Sequence, residues 1–403
     1  MNFQLKSKYF SIFSISCILL QTCGIRFFAG IGSLLMIILI LFNIKHVRKI
    51  KVKSLIYIVS ILIVYLIVQI LQRARIESIL NTLLIMIGSF IFCFSYKDEP
   101  GRFFDDLRIT LRLFTFQAFI SIFVYILFHP FVFYLNIRAM PYYSICYSFY
   151  YFLPEDGFLR ITGLFWEPGC LQLIANLYLF LCIINNARVR SLLWPAIVVI
   201  CTFSTAGFIL LSLNAIYYVL KNFKLRRMKL SIIVVLLLSI GIFPIVYQTV
   251  HLKLNKNLSG MIRQVNTISG LMLLINHPLV GVDMNVDALV KNPEFNKIQE
   301  ELWGINSEML PKKLGSVAGG FTNGFLGLLL KWGIPIGLLM YYLFYKSVFF
   351  PNSNVAFYFL FLFLVTNMSE ALTDTSLFYV FALSTVVFGI RSQNNVLFTA
   401  KRS

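Results

Sequence analysis

The sequence predicts an all-α fold: a polytopic transmembrane helical bundle of about twelve crossings, with one large extracytoplasmic loop region. Three observations carry that prediction. Hydrophobic residues make up 59% of the 403-residue chain and charged residues only 13%, against about 25% charged in a soluble domain. Half the usual charge cannot cover a globule with polar surface, so lipid must solvate most of it. Apolar runs recur from Tyr9 to Ile390, many near the roughly 20 residues that a helix needs to cross a bilayer. Finally, these runs are continuously apolar, where the strands of a membrane barrel would alternate.

Taken in order against the basic clusters, the runs place crossings at 9–24, 27–43, 54–72, 78–96, 113–133, 168–185, 191–204, 206–220, 230–249, 323–345, 355–369 and 375–390. The first follows Lys6 and Lys8 as a signal peptide would, but no small-residue cleavage site follows it, so it reads as an uncleaved helix. Arg26 sits in the first outer turn, and Arg73, Arg75 and Glu77 in the next; interface anchoring is their plainest role. The stretch 191–220 fits one long helix or two short ones. Arg188 and Arg190 precede it and Lys221, Lys224, Arg226, Arg227 and Lys229 follow it. Two basic flanks belong on one side, so the chain crosses twice, turning at the polar centre TFSTAG (202–207).

Counting charges tests the layout, which puts both termini in the cytoplasm. Cytoplasmic segments hold 22 Lys/Arg and four acids, Asp98, Glu99, Asp105 and Asp106. Outer segments hold 12 Lys/Arg and 12 acids, leaving Lys331 within a span. The net charge of +19 is therefore a topology signal, and its partner is membrane lipid, not nucleic acid. Most of the seven cysteines lie in apolar runs and act as small hydrophobes. Cys146 and Cys170 fall in one outer region, where a disulfide is permitted but not required. No cysteine spacing resembles a metal site.

The chain, 1–403, reads as a single integral membrane domain with two sizeable outer regions, a first loop over 134–167 and a large one over 250–322. All cytoplasmic loops are short, so any chemistry belongs to the outer face. In the large loop, Asn292 and Pro293 start an amphipathic helix over 292–310, with Phe295, Ile298, Leu302, Ile305 and Met309 on its apolar face. A second helix over about 260–276 stops before Pro278.

The outer regions offer Arg160 and Glu167, then Arg263, His277 and Asp283. An arginine fork suits a diphosphate; a histidine, or a carboxylate against hydrocarbon, suits proton transfer. Each residue also has a plain structural reading. Arg160 can pair with Glu155 or Asp156, or anchor at the interface beside Trp166. Glu167-Pro168-Gly169 can be simply a helix start, His277 a helix C-cap, and Arg263 a solvated residue. Glu370 and Asp374, at the last outer turn, read first as solvated and second as lining a cavity. Lys331 is either a cavity-facing intramembrane cation, or it stands at headgroup level after a short surface piece, Gly320–Leu330.

RITGLFWEPGCLQLIANL (160–177) shows an Arg-x-x-Gly-Leu-Phe-x-Glu-Pro pattern at a helix start. SGMIRQVNTISGLMLLINHPLVGVD (259–283) holds an Arg followed by His-Pro-x-x-Gly, and GGFTNGFLGLLLKWGIPIGLLMYY (319–342) holds Asn-x-x-Leu. In these stretches the chain resembles the O-antigen polymerase and ligase superfamily of bacterial envelope glycosyltransferases. Departures are Asp283 for the last Gly of the His-Pro element, Thr322 for the His of a His-Asn pair, and Ser204-Thr205 for a Ser-Arg pair. The resemblance implies a metal-independent, cofactor-free glycosyl transfer at the periplasmic face of the bacterial inner membrane. The donor would be a glycan on undecaprenyl diphosphate and the acceptor a sugar hydroxyl of another lipid-linked repeat unit. Arg160 and Arg263 would hold diphosphate, Asn323 would contact substrate, and His277 or Glu167 would be the base. A polysaccharide chain-length regulator is compatible as a further partner. The Glu-Pro-Gly element at 167–169 favours a polymerase over an O-antigen ligase or a lipid-linked oligosaccharide flippase.

Overall fold

The computed structural model describes residues 2–25, 27–28, 30–137, 140–152, 159–222, 258–284, 289, 292–303, 323–368 and 370–389. The expected span 230–249, together with Ile305 and Met309, lies outside them. In chain order the helices are α1 (Asn2–Cys23), α2 (Ile31–Asn43), α3 (Val52–Leu71), α4 (Ile76–Cys93) and α5 (Arg102–Phe128). Strands β1 (Phe133–Ile137), β2 (Met140–Ile145), β3 (Phe149–Phe152) and β4 (Arg160–Ile161) follow. Then come α6 (Pro168–Ile184), α7 (Val189–Cys201), α8 (Thr205–Asn222), α9 (Leu258–Asn276), α10 (Pro293–Trp303), α11 (Gly324–Tyr345), α12 (Ser353–Asn367) and α13 (Ser376–Phe388). Five helical stretches are long and apolar enough to cross a membrane: Ile31–Arg48, Val52–Leu71, Ile76–Tyr96, Arg102–Phe131 and Gly324–Tyr345. Other apolar helices are shorter, at 10–17 residues. The chain is a helical membrane protein.

Two elements differ from the sequence expectation. α5 starts at Arg102, well before residue 113, because RFFDDLRITLR is amphipathic: Phe103, Phe104, Leu107 and Leu111 are buried and the helix runs on past its apolar part. The loop expected over 134–167 is not irregular. It folds as an antiparallel four-stranded meander, β1-β2-β3-β4, with Phe133 opposite Ser144, Tyr143 opposite Tyr151 and Phe152 opposite Arg160. Its tyrosine- and phenylalanine-rich strands are what a pleated, half-buried surface selects.

The chain divides into two compact units: Met1–Thr22, Phe28–Leu107 and Ile262–Ser403 form the larger, and Cys23–Phe27 with Arg108–Met261 the smaller. In the larger unit α13 is central, with Ser376–Thr385 buried throughout, packed on α4, α11 and α3. A buried helix start needs acceptors for its free N–H groups. α1 supplies them: Gln21 Oε1 accepts from Ser376 N at 2.8 Å, and Thr22 Oγ1 from Leu377 N at 3.2 Å. Phe103, Phe344, Phe349, Phe350, Phe359 and Phe381 fill the core around it with stacked and edge-on rings.

In the smaller unit α6 is central, buried from Pro168 to Ile183 and flanked by α7 and α8. The chain turns through Thr202–Ser204, with Phe203 at φ 47°, so the stretch 191–220 is two short helices. Amides tie α8 to α6: Asn214 Nδ2 donates to Asn176 Oδ1 at 3.1 Å, and Asn176 Nδ2 donates to Gly207 O at 3.3 Å. In lipid such bonds hold helices that apolar packing alone leaves free to slide.

Candidate functional site

In the smaller unit, Arg160 opens β4 with its side chain half-buried, and β4 packs on α6. Glu155 and Asp156, its possible partners, lie outside the described residues. Glu167 is half-buried and caps α6 through its backbone: its carbonyl accepts from Cys170 N at 3.1 Å. Its carboxylate makes no cap bond to that helix, while Pro168 takes the first helical position, where no N–H is needed. Tyr142 donates to Trp166 O at 2.5 Å, and burial followed by the Glu167 charge pushes the Tyr142 phenol up. Cys146 is exposed, Cys170 is buried and both are free thiols.

α9 is one helix from Leu258 to Asn276, counted in the larger unit from Ile262 on. It carries Arg263 fourteen residues ahead of His277, about 20 Å along the axis between their backbones. Asn323 lies toward the Arg263 end. It is buried, its Oδ1 accepts from Leu326 N at 3.1 Å to cap α11, and its Nδ2 donates to Thr267 Oγ1 at 3.4 Å. His277 meets a residue that sequence reading missed. Its Nε2 lies 2.6 Å from Glu294 Oε2, while Asn276 Nδ2 donates to Glu294 Oε1 at 2.6 Å. Glu294 stands in the first turn of α10, where the helix dipole favours a carboxylate and Asn292 Oδ1 accepts from Glu294 N at 2.9 Å. Burial pushes Glu294 up, but hydrogen bonds from His277 and Asn276 and the imidazole charge outweigh it, so its carboxyl is held below the usual range. With the His277 proton on Nε2, facing the carboxylate, Nδ1 is the atom that can accept another proton.

The segment after His277 is clasped to α11. Val282 N donates to Leu330 O and Ile334 N to Pro278 O, each at 2.8 Å. The clasp needs two glycines at φ 73°, Gly281 and Gly333. A Cβ on Gly281 would overlap the Leu330 carbonyl, and one on Gly333 the Leu279 carbonyl. α11 therefore breaks at Gly333, and α3 completes the joint: Gln72 Nε2 donates to Val280 O at 2.6 Å and to Lys331 O at 3.1 Å.

Lys331 stands at this break, beside the last turn of α3. Its surface is only 7% exposed, and its Nζ donates to Asp374 Oδ2 at 2.5 Å and to Thr82 Oγ1 at 2.7 Å. Tyr379 adds a bond to Asp374 Oδ1 at 2.9 Å. Neither acid of the last turn is simply solvated: Glu370 is buried, and Asp374, with 39% of its side chain exposed, is drawn in by the cation. A buried ammonium must find a counter-charge, and that need was the available signal for Asp374. Glu294 had a weaker one, an acid in the first turn of a capped helix. Among the described residues no cluster of His, Cys, Asp and Glu could hold a metal ion.

No protein-family model matches the chain, and no curated protein matches it at a significant level.

Proposed function

We propose that the protein is a metal-independent glycosyltransferase that polymerises undecaprenyl-diphosphate-linked oligosaccharide repeat units, at the periplasmic face of the bacterial inner membrane. The observation that carries the reading is the His277–Glu294 pair: an exposed imidazole, oriented by a carboxylate, on a segment held rigid by the Gly281–Gly333 clasp. A general base needs that arrangement, since its partner fixes ring and tautomer. His277 takes the proton of an acceptor sugar hydroxyl; the oxygen bonds to the donor's anomeric carbon, and the bond from that carbon to the diphosphate breaks. The leaving diphosphate keeps the electron pair; Arg263 in the larger unit is assigned to its charge, and Arg160 in the smaller unit is a separate candidate for the same role. Glu167 is the alternative base.

The charge asymmetry favours about twelve crossings with both termini cytoplasmic, a layout in which these residues lie on the outer face. A flippase would place its polar site and broken helix near mid-membrane, whereas the α11 break sits at the end of α3, a helix of 20 residues. The test is gene deletion followed by electrophoresis of the lipopolysaccharide. A single repeat unit kept on core supports polymerase. Loss of all repeats with lipid-linked polymer accumulating points to ligase, and loss with single lipid-linked units trapped inside to a flippase. His277→Ala, Arg160→Ala and Arg263→Ala, at normal protein levels, should abolish the ladder; wild-type ladders from all three would sink the site.

A further inference from the structure

α3 and the second half of α11 leave between them a groove of about 940 Å³, floored by the end of α13. Its walls are mostly apolar, with Ile61 and Val64 on α3 and Trp332, Ile336 and Leu343 on α11. From Lys53 to Val64 the α3 wall rises about 16 Å, one leaflet of a hydrocarbon core of about 30 Å. The groove is thus as deep as one acyl chain of a single leaflet is long.

Its two ends differ. One closes at Trp332, whose ring packs against Tyr65 at 4.9 Å between centroids. The other opens between Lys51, Lys53 and Lys97. Lys51 and Lys53 are exposed and close a basic segment, Lys45–Lys53, that holds five Lys/Arg and no acid. Lys97 is followed by Asp98 and Glu99, so Lys51 and Lys53 supply most of the field at the mouth. A basic segment of that kind faces the cytoplasmic leaflet. Any lipid could cover the walls; the lysines select a negative headgroup at a fixed height above them.

We propose that this groove is a binding site for an anionic glycerophospholipid of the cytoplasmic leaflet. One acyl chain lies along Ile61 and Ile336, and the phosphate rests at Lys51 and Lys53. The site stands apart from the residues assigned above to glycosyl transfer and does not depend on that assignment.

The test is lipid binding to the delipidated full-length protein in neutral detergent, read by native mass spectrometry. Phosphatidylglycerol and phosphatidylcholine of identical chains are compared. Two lysines should favour phosphatidylglycerol by about thirtyfold, and the preference should shrink with added salt. Lys51→Gln/Lys53→Gln should bring phosphatidylglycerol to the phosphatidylcholine level. Leu339→Trp, which narrows the groove at a lining position, should weaken both lipids. Equal binding of the two lipids would overturn the proposal, as would a preference that survives the double glutamine variant or binding untouched by Leu339→Trp. Displacement of phosphatidylglycerol by a polyprenyl phosphate at equal concentration would assign the groove to a lipid carrier instead, and equal binding of inorganic phosphate would show that the walls are not used.

Discussion

Breaking the Lys331–Asp374 pair from either side should have unequal costs. At 2.5 Å the gross attraction is roughly 6–7 kcal/mol for an effective dielectric constant of about 20, but desolvation offsets much of it. What decides the asymmetry is exposure. Lys331 is 7% exposed, so Asp374→Ala strands an ammonium with the neutral Thr82 hydroxyl and the Tyr65 ring as partners, and should cost about 3–5 kcal/mol. Asp374 has 39% of its side chain exposed and keeps the Tyr379 bond, so Lys331→Met leaves a carboxylate that water can reach. That change should cost about 1 kcal/mol. Lys331→Met/Asp374→Leu removes both charges and should be close to neutral, giving a coupling of about 4 kcal/mol or more in the cycle. The assay is equilibrium unfolding of the purified variants in mixed micelles. Equal costs for the single changes, or additive costs in the double variant, would refute the reasoning.

Three other predictions follow from the same geometry. Gly281→Ala and Gly333→Ala each combine a left-handed backbone, about 1–2 kcal/mol for any Cβ, with overlap against a carbonyl, typically 1–3 kcal/mol; each should lower the yield of folded protein in size-exclusion profiles, and a wild-type profile from both would remove the clasp. Because the folded-state pKa of Glu294 is depressed, its stabilisation is fully present above the ordinary carboxylate pKa, about 4.3, and is lost as pH falls through the folded value. Its half-exposed pair with His277 is worth at most about 1 kcal/mol, so between pH 6 and pH 3.5 the thermal midpoint should fall slightly further for wild type than for Glu294→Gln. A membrane-impermeant maleimide should label exposed Cys146 and spare buried Cys170 without prior reduction; labelling that needs a reductant would reveal a disulfide instead.

Much of the chain is legible in sequence because it depends on local pattern. Unbroken apolar runs predict helices at 27–43, 54–72 and 323–345, close to the observed Ile31–Asn43, Val52–Leu71 and Gly324–Tyr345, and two basic flanks around one polar centre predict a turn within 202–207. The stop of α9 before Pro278 follows from proline's own geometry. The strands over 133–161 carried a local signal too, their enrichment in tyrosine and phenylalanine, but it is weaker than a membrane run and short enough to pass for a loop. Partners of charges are different. Glu294 is seventeen residues from His277, and Asp374 is forty-three from Lys331; no periodicity links either pair. Sequence by itself determined that one cation, Lys331, falls within an apolar run and that the helix ahead of His277 stops before Pro278. Only the tertiary structure decided which carboxylate each would face, because a buried charge is satisfied by whichever acid the packed helices bring within hydrogen-bonding reach.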